Sequence, residues 1–303
     1  MADWSALPPG TDVRVFTDHL ADEGQVAERL RDFEIVVAMR ERTPFPRSLL
    51  VRLPRLRLLV TTGMRNASID LVAATERGVL VCGTGGVDGA TAELTWALIL
   101  ALLRHIARED AATRSGQWQV TLGVGLQGKT LGVLGLGKLG SRVAVVGKAF
   151  GMSVITWSQH LTAARAAEVG ATLVTKDVLL AQADVLTVHL VLSDRTRGLI
   201  GAPELARMKP TAYVINTSRG PIVDEPALID ALERGVIAGA GLDVYNVEPL
   251  PPDHPLRRLP NTVITPHLGY VTAETYRVFF GDAIEDIRAF LQGAPTRVLQ
   301  LAV

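Results

Sequence analysis

Three residues in the C-terminal half of the chain, Arg219, Glu248 and His267, are of the types that hydride transfer on a 2-oxo acid requires. Each lies in a punctuated segment after a strand-like run: NTSRGPIVDE, LDVYNVEPLPPDHPL and TPHLG. An arginine grips and polarises such a substrate, a histidine carries the proton, and a carboxylate keeps that histidine charged. Gly220 and Pro221 follow Arg219 and would fix its loop and aim the guanidinium outward, while Pro266 and Gly269 frame His267.

Upstream, TLGVLGLGKLGSRVAVVGKAFGMSVITW reads as strand, Gly-rich turn, helix and strand. Gly135, Gly137 and Gly140 have the G-x-G-x-x-G spacing directly after an apolar run, which is the setting a dinucleotide fingerprint needs. The first glycine permits the tight turn, the second lets backbone amides approach a pyrophosphate, and the third lets the helix lie close to the sheet. The helix N-terminus then offers partial positive charge to the phosphates. NAD-selective turns carry an acidic residue at the end of the second strand, where it meets the adenosine ribose. Here Ser158 holds that position, and Gln159, His160, Leu161 and Thr162 bring no carboxylate. A 2′-phosphate would meet no repulsion and could accept hydrogen bonds from Ser158 and Gln159. No arginine follows directly; His160 and Arg165 are the substitutes at hand, so NADP(H) is expected to be slightly favoured over NAD(H).

With GQWQ around Trp118, HLVLSDRTRGLI from His189, NTSRGPIVDEPALIDAL from Asn216, AGLDVYNVEP from Ala240 and TPHLG from Thr265, the chain resembles the D-isomer-specific 2-hydroxyacid dehydrogenase family over nearly its whole length. The resemblance implies an α/β fold of two doubly wound parallel-sheet domains, a Rossmann-type cofactor domain inserted into a flavodoxin-like substrate domain. The expected boundaries are 1–98 with 271–303 for the substrate domain and 99–270 for the dinucleotide domain. It also implies an NAD(P)-dependent oxidoreductase in which Arg219 binds the substrate carboxylate and carbonyl oxygen, His267 is the acid or base, and Glu248 is its partner. Asp243 would accept a hydrogen bond from the nicotinamide carboxamide, with helix capping or loop bracing the competing role. Further cofactor contacts implied are Lys138, Leu139, Val191, Thr196, Thr217, Ser218, His267 and Gly269; Val191 stands where the family commonly has proline. His189 would pack beside the adenosine half.

The substrate loop implied by the resemblance is TTGMRNASID, in which Gly63, Met64 and Arg65 occupy the place of a Gly-rich, carboxylate-binding turn. Arg65 is either solvated or reaches a second anionic group, so glyoxylate, hydroxypyruvate, a branched 2-oxo acid and a phosphorylated hydroxy acid all stay open. Two other classes stay open as well. One is a relative acting on a different hydride donor such as formate, against which Glu248 argues; the other is a non-catalytic dinucleotide sensor on the same scaffold.

Composition agrees. The 303 residues, 48% of them hydrophobic, suit one large or two ordinary α/β domains. Thirty-one basic residues balance 31 acidic ones, which leaves no charge footprint for nucleic acid or an anionic membrane. The single cysteine, Cys82, cannot form an internal disulfide and suits a buried position in a reduced, cytoplasmic protein. MADWSALPPG has no targeting pattern, and no metal site is expected. The longest apolar run, Leu94–Leu103, is about half a bilayer span and reads as an interdomain or interface helix. Together with the resemblance it implies a homodimer joined mainly through the cofactor domains. Strands are expected at 13–17, 34–39, 56–61 and 79–82, then at 130–134, 153–157, 185–189, 212–216, 238–243 and 262–265. A long helix, 273–292, returns the chain to the first domain beside 297–303, with a hinge where the chain crosses near 90–107 and 270–290.

Overall fold

The computed structural model describes residues 2–299, and they divide into two compact units. One is built from the residues up to Val87 and from Thr272 onward, the other from Asp88–Val271. The first division falls before the Ala90–Leu103 helix instead of inside it, where the sequence had suggested 98.

The first unit alternates α1 (Glu23–Leu30), β1 (Ile35–Ala38), α2 (Arg47–Leu50), β2 (Leu58–Thr61), α3 (Leu71–Glu76) and β3 (Leu80–Gly83). Aspartates start two of these helices: Asp22 accepts from the Gln25 N–H and Asp70 from the Ala73 N–H. The strands form a parallel sheet in the order β1-β2-β3. Side chains alternate across it with a period of two. Leu59 joins Leu49, Leu50, Leu53 and Ala73 on one face, while Leu58 and Val60 join Ala283, Ile284 and Ile287 on the other.

The strand expected at Val13–Thr17 does not form. The alternation VRVF satisfies a strand pattern locally, but a strand also needs a neighbour for its backbone groups. Here Phe16 lies edge-on to Phe33 at 5.9 Å and under Arg29 at 4.8 Å, and Val15 is left 69% exposed.

The second unit begins with α4 (Ala90–Leu103) and α5 (Ile106–Arg114) and continues through β4 (Thr130–Leu134), α6 (Lys138–Ala149), β5 (Ser153–Trp157), α7 (Ala163–Ala167) and β6 (Thr172–Leu173). It closes with α8 (Lys176–Gln182), β7 (Val185–Val188), α9 (Ala202–Leu205), β8 (Tyr213–Asn216), α10 (Glu225–Glu233), β9 (Gly239–Leu242) and β10 (Thr262–Ile264). The seven strands are parallel, in the order β10-β9-β8-β7-β4-β5-β6. Strand order reverses at β4, so a crevice opens past its carboxyl end. Helices cover both faces: Leu179, Leu180, Leu205 and Leu228 fill one core, and Trp96, Leu98, Ile99, Leu102 and Val143 the other.

Eight of the fourteen residues of α4 are buried, six of them in that second core, which makes it a core helix of this unit. No single helix is long and apolar enough to cross a membrane; α4 and α5 together have the length, but they are bent by 61°.

The chain then returns to the first unit through α11 (Ala273–Leu291). Beyond it, Val298 bridges Cys82 antiparallel and the Leu299 N–H donates to Val81 O at 2.8 Å. Residues 300–303 of that segment lie outside the described residues. Cys82 is fully buried, and that burial pushes its thiol up to about 11.

Candidate active site

Strands β8, β9 and β10 are adjacent, so the loops that leave their carboxyl ends meet. Arg219 follows β8, Asp243 and Glu248 follow β9, and His267 follows β10. The imidazole Nδ1 of His267 lies 2.6 Å from Glu248 Oε2, and the other carboxylate oxygen accepts the Tyr245 N–H at 3.0 Å. Burial pushes the Glu248 carboxyl up, but the hydrogen bond and charge of His267 outweigh it, aided by Arg219, and hold it below its ordinary value.

His267 itself has φ +57°, a left-handed conformation that a non-glycine residue holds only when its surroundings over-determine it. Asp243 supplies the constraint. Its carboxylate, 1% exposed, accepts from Thr265 Oγ1 at 2.5 Å, from the Leu268 N–H at 2.7 Å and from the Gly269 N–H at 2.9 Å. Burial raises its pKa despite these donors. The loop-bracing role of Asp243 is thus directly visible, with one oxygen carrying a single donor.

Arg219 is held by its own turn. The Asn216 side chain donates to Arg219 O at 3.0 Å and accepts the Ser218 N–H at 3.0 Å, and Arg219 Nη1 donates to Ser218 O at 2.8 Å. Gly220 is required for close approach, since an added Cβ would lie 2.1 Å from the carbonyl carbon of Tyr245. The Arg219 and Glu248 loops are therefore in backbone contact.

The Gly-rich turn separates two kinds of glycine. Gly135 has φ +97° and packs on the His189 carbonyl, and a Cβ on Gly140 would meet Gly135 O at 2.1 Å, so the fold itself demands both. Gly137 has φ −76°, and a Cβ there would meet nothing within 4 Å. Nothing in the protein requires glycine at that point, whereas close approach by a ligand phosphate does. Gly137 also precedes α6 with no side-chain cap, which leaves the first N–H groups of that helix for an anion. The residues present thus fit a dinucleotide. Lys138 and Leu139 open α6, and the Lys138 ammonium is paired with Asp88 at 2.5 Å.

Ser158 and Gln159 follow β5 directly, with Gln159 and His160 exposed. Arg165 donates to Ser141 Oγ on the first turn of α6 at 3.3 Å and is also paired with Glu168. Val191 is 77% exposed. The hydroxyls of Thr196, Thr217 and Ser218 are engaged within the protein, by Val191 O, Thr95 Oγ1 and Leu190 O respectively. His189 is half-buried, desolvation pushes its pKa down to about 4, and its Nε2 meets Thr187 Oγ1 at 2.9 Å.

In the first unit, Gly63, Met64 and Arg65 lie just past the carboxyl end of β2. Gly63 has φ +94° and donates its N–H to Thr84 Oγ1 at 2.8 Å, and Met64 and Arg65 are exposed. Sequence reasoning missed Arg40, whose guanidinium rests where a side chain at Gly63 would be, and Asn66, which ties Arg40 O to Thr61 Oγ1. It also missed Asn216 and Tyr245. The turn signal NTSRG pointed to the first; nothing local marks the second. Among the described residues no group of three His, Cys, Asp or Glu side chains could hold a metal.

Comparison with known proteins identifies the family. Residues 96–269 match the family profile described as D-isomer specific 2-hydroxyacid dehydrogenase, NAD binding domain. The chain is 46% identical over 255 residues to a glyoxylate reductase of Aeropyrum pernix, covering 81% of this chain and 76% of that protein. It is 37% identical to a D-3-phosphoglycerate dehydrogenase of Synechocystis sp., which matches 91% of this chain but of which the chain spans 50%. A crystal structure of a phosphoglycerate oxidoreductase from Vibrio cholerae superposes with a TM-score of 0.91 at 40% identity, over 96% of this chain and 94% of that one. The chain belongs to the D-isomer-specific 2-hydroxyacid dehydrogenase family, oxidoreductases that act on 2-oxo and 2-hydroxy acids with a nicotinamide dinucleotide.

Proposed function

We propose that the protein reduces a small 2-oxo acid to the D-2-hydroxy acid, with glyoxylate and hydroxypyruvate the first candidates. The observation that carries this reading is the His267–Glu248 pair at 2.6 Å, on loops adjacent to the one that bears Arg219. The bound dinucleotide supplies the hydride, or receives it in the reverse direction. Arg219 binds the substrate carboxylate and draws electron density onto the carbonyl oxygen. His267 has Nδ1 committed to Glu248, which leaves Nε2 to hand its proton to that oxygen. In oxidation the same nitrogen takes the proton back. Glu248 holds the imidazole in place and favours its charged form, and Asp243 holds the loop in the conformation that presents it.

The turn Gly135, Gly137, Lys138, Leu139 and Gly140 is assigned to the dinucleotide phosphates, with Val191, Thr196, Thr217, Ser218, Asp243 and Gly269 along the remainder of the cofactor. Ser158 and Gln159 are assigned to the adenosine ribose, and the lack of a carboxylate there supports a slight preference for NADP(H). Gly63, Met64 and Arg65 are assigned to the substrate. The buried, unpaired Cys82 suits a reducing cytoplasm. A homodimer joined through the dinucleotide-binding units completes the reading.

A panel of 2-oxo acids, assayed with NADPH and with NADH, tests it. Turnover of glyoxylate or hydroxypyruvate is expected, with kcat/KM for NADPH equal to or somewhat above that for NADH. A ratio below about one tenth would overturn the cofactor preference. Saturable dinucleotide binding with no turnover of any 2-oxo acid would overturn the enzymatic reading in favour of a sensor.

A further inference from the structure

A second histidine–carboxylate pair, Glu225 and His254, holds the loop that carries Glu248. Glu225, at the start of α10, accepts the Asn246 N–H through Oε2 at 3.2 Å. Its other oxygen, Oε1, lies 3.3 Å from His254 Nε2, and both side chains are about 15% exposed. His254 Nδ1 accepts the Leu256 N–H at 3.4 Å, which leaves Nε2 as the donor to Glu225 in the neutral ring. Asn246 adjoins Tyr245, whose N–H orients Glu248, and Tyr245 presses on Gly220 beside Arg219. Arg257 closes the far side of the same loop by donating to Pro251 O at 2.8 Å and to Leu250 O at 2.6 Å.

From this geometry we infer that Glu225 and His254 form a clasp that positions the 245–254 loop, and with it the Glu248 carboxylate that serves His267. The inference rests on the proposed roles of Glu248 and His267 and adds two positioning residues to them. The physical reason is economy of constraint. Glu248 sits on a loop with no helix or strand of its own, and one hydrogen bond from Tyr245 fixes its carboxylate only if the Tyr245–Asn246 backbone is itself fixed. Glu225 does that from a helix that also follows the Arg219 turn, so one element sets the spacing of the cation and the carboxylate. The donor from His254 needs no charge on the imidazole; a neutral amide can replace it.

The test is a double-mutant cycle, which separates action through Glu248 from general loosening. Glu225→Ala and, separately, His254→Ala are expected to lower kcat for the best 2-oxo acid by about tenfold, a coupling typical of neighbouring groups, while dinucleotide affinity changes by less than about twofold. His254→Gln should restore most of the loss because its amide can donate to Glu225. In a Glu248→Gln background the same two alanine substitutions should cost nothing further. Wild-type kcat in both alanine variants, or an equal loss in both backgrounds, would overturn the clasp. His267→Ala run alongside distinguishes the underlying reading: if that variant keeps full activity, the assignment of the pair itself has failed.

Discussion

At the scale of single residues, the site joins one strained position to one charged pair. His267 holds φ +57° because Asp243 takes both following N–H groups, and it meets Glu248 because Tyr245 aims that carboxylate. Replacing His267 with alanine should lower kcat by about a hundredfold or more, the usual worth of a general acid, and leave dinucleotide affinity nearly intact. Arg219→Ala should raise KM as well as lower kcat; wild-type kcat/KM in either variant would remove the assignment. The pair also links activity to acid stability. Because the folded Glu248 carboxyl is held below the ordinary 4.5, the folded chain binds fewer protons than the unfolded one near that pH. Its stabilising contribution is complete above about pH 4.5 and fades as pH falls through the lower, folded value. Glu248→Gln should therefore flatten the fall in denaturant midpoint between about pH 5 and about pH 3, and an unchanged slope in that variant would show that the pair does not carry the effect.

At the scale of elements, the glycine turn shows how one motif mixes structural and ligand demands. Gly140→Ala drives a Cβ to within 2.1 Å of a backbone oxygen and should destabilise the protein by more than about 2 kcal/mol, read by chemical denaturation. Gly137→Ala meets nothing and should leave stability within about 0.5 kcal/mol of wild type, yet weaken dinucleotide binding at least several-fold. If the first variant is as stable as the wild type, or the second binds as tightly, the division of roles is wrong. Both demands were legible in the sequence because strand, turn and helix are consecutive. So were Arg219 and His267, each flanked by glycine and proline after a strand, and Glu248, followed by Pro249 in the loop after β9. The clasp of Glu225 on the Asn246 N–H was not legible, since its partners are 21 residues apart and nothing in VDEPAL or YNVEP signals a mutual contact. The bracing of His267 by Asp243 was legible only as an alternative, because an aspartate at a strand end can serve a ligand or its own loop. The strand expected at 13–17 failed for the opposite reason: its alternation is a local property, and pairing is not.

At the scale of the whole molecule, the proposed homodimer needs a surface that would join two copies. The apolar helix α4 drew attention in the sequence, but its bulk is spent inside its own unit against Val143, Tyr213 and Ile215. Among the described residues the two most exposed large apolar side chains belong instead to the segment that follows α5: Trp118 is 78% exposed and Leu122 91%. That segment has no helix or strand, yet it is fixed, because Glu109 accepts the Thr121 N–H at 2.6 Å and binds the Thr121 hydroxyl. A held loop that presents a tryptophan and a leucine to solvent has the composition of an interface core, where large aromatic side chains supply most of the binding energy. Light scattering at micromolar concentration should give twice the 32.5 kDa chain mass, and the double variant Trp118→Ser, Leu122→Ser should give 32.5 kDa with its unfolding midpoint little changed. A wild-type mass of 32.5 kDa would refute the dimer, and a double variant that stays dimeric would move the interface elsewhere. Neither result would touch the chemistry, since Arg219, Glu248 and His267 all lie on loops of one chain.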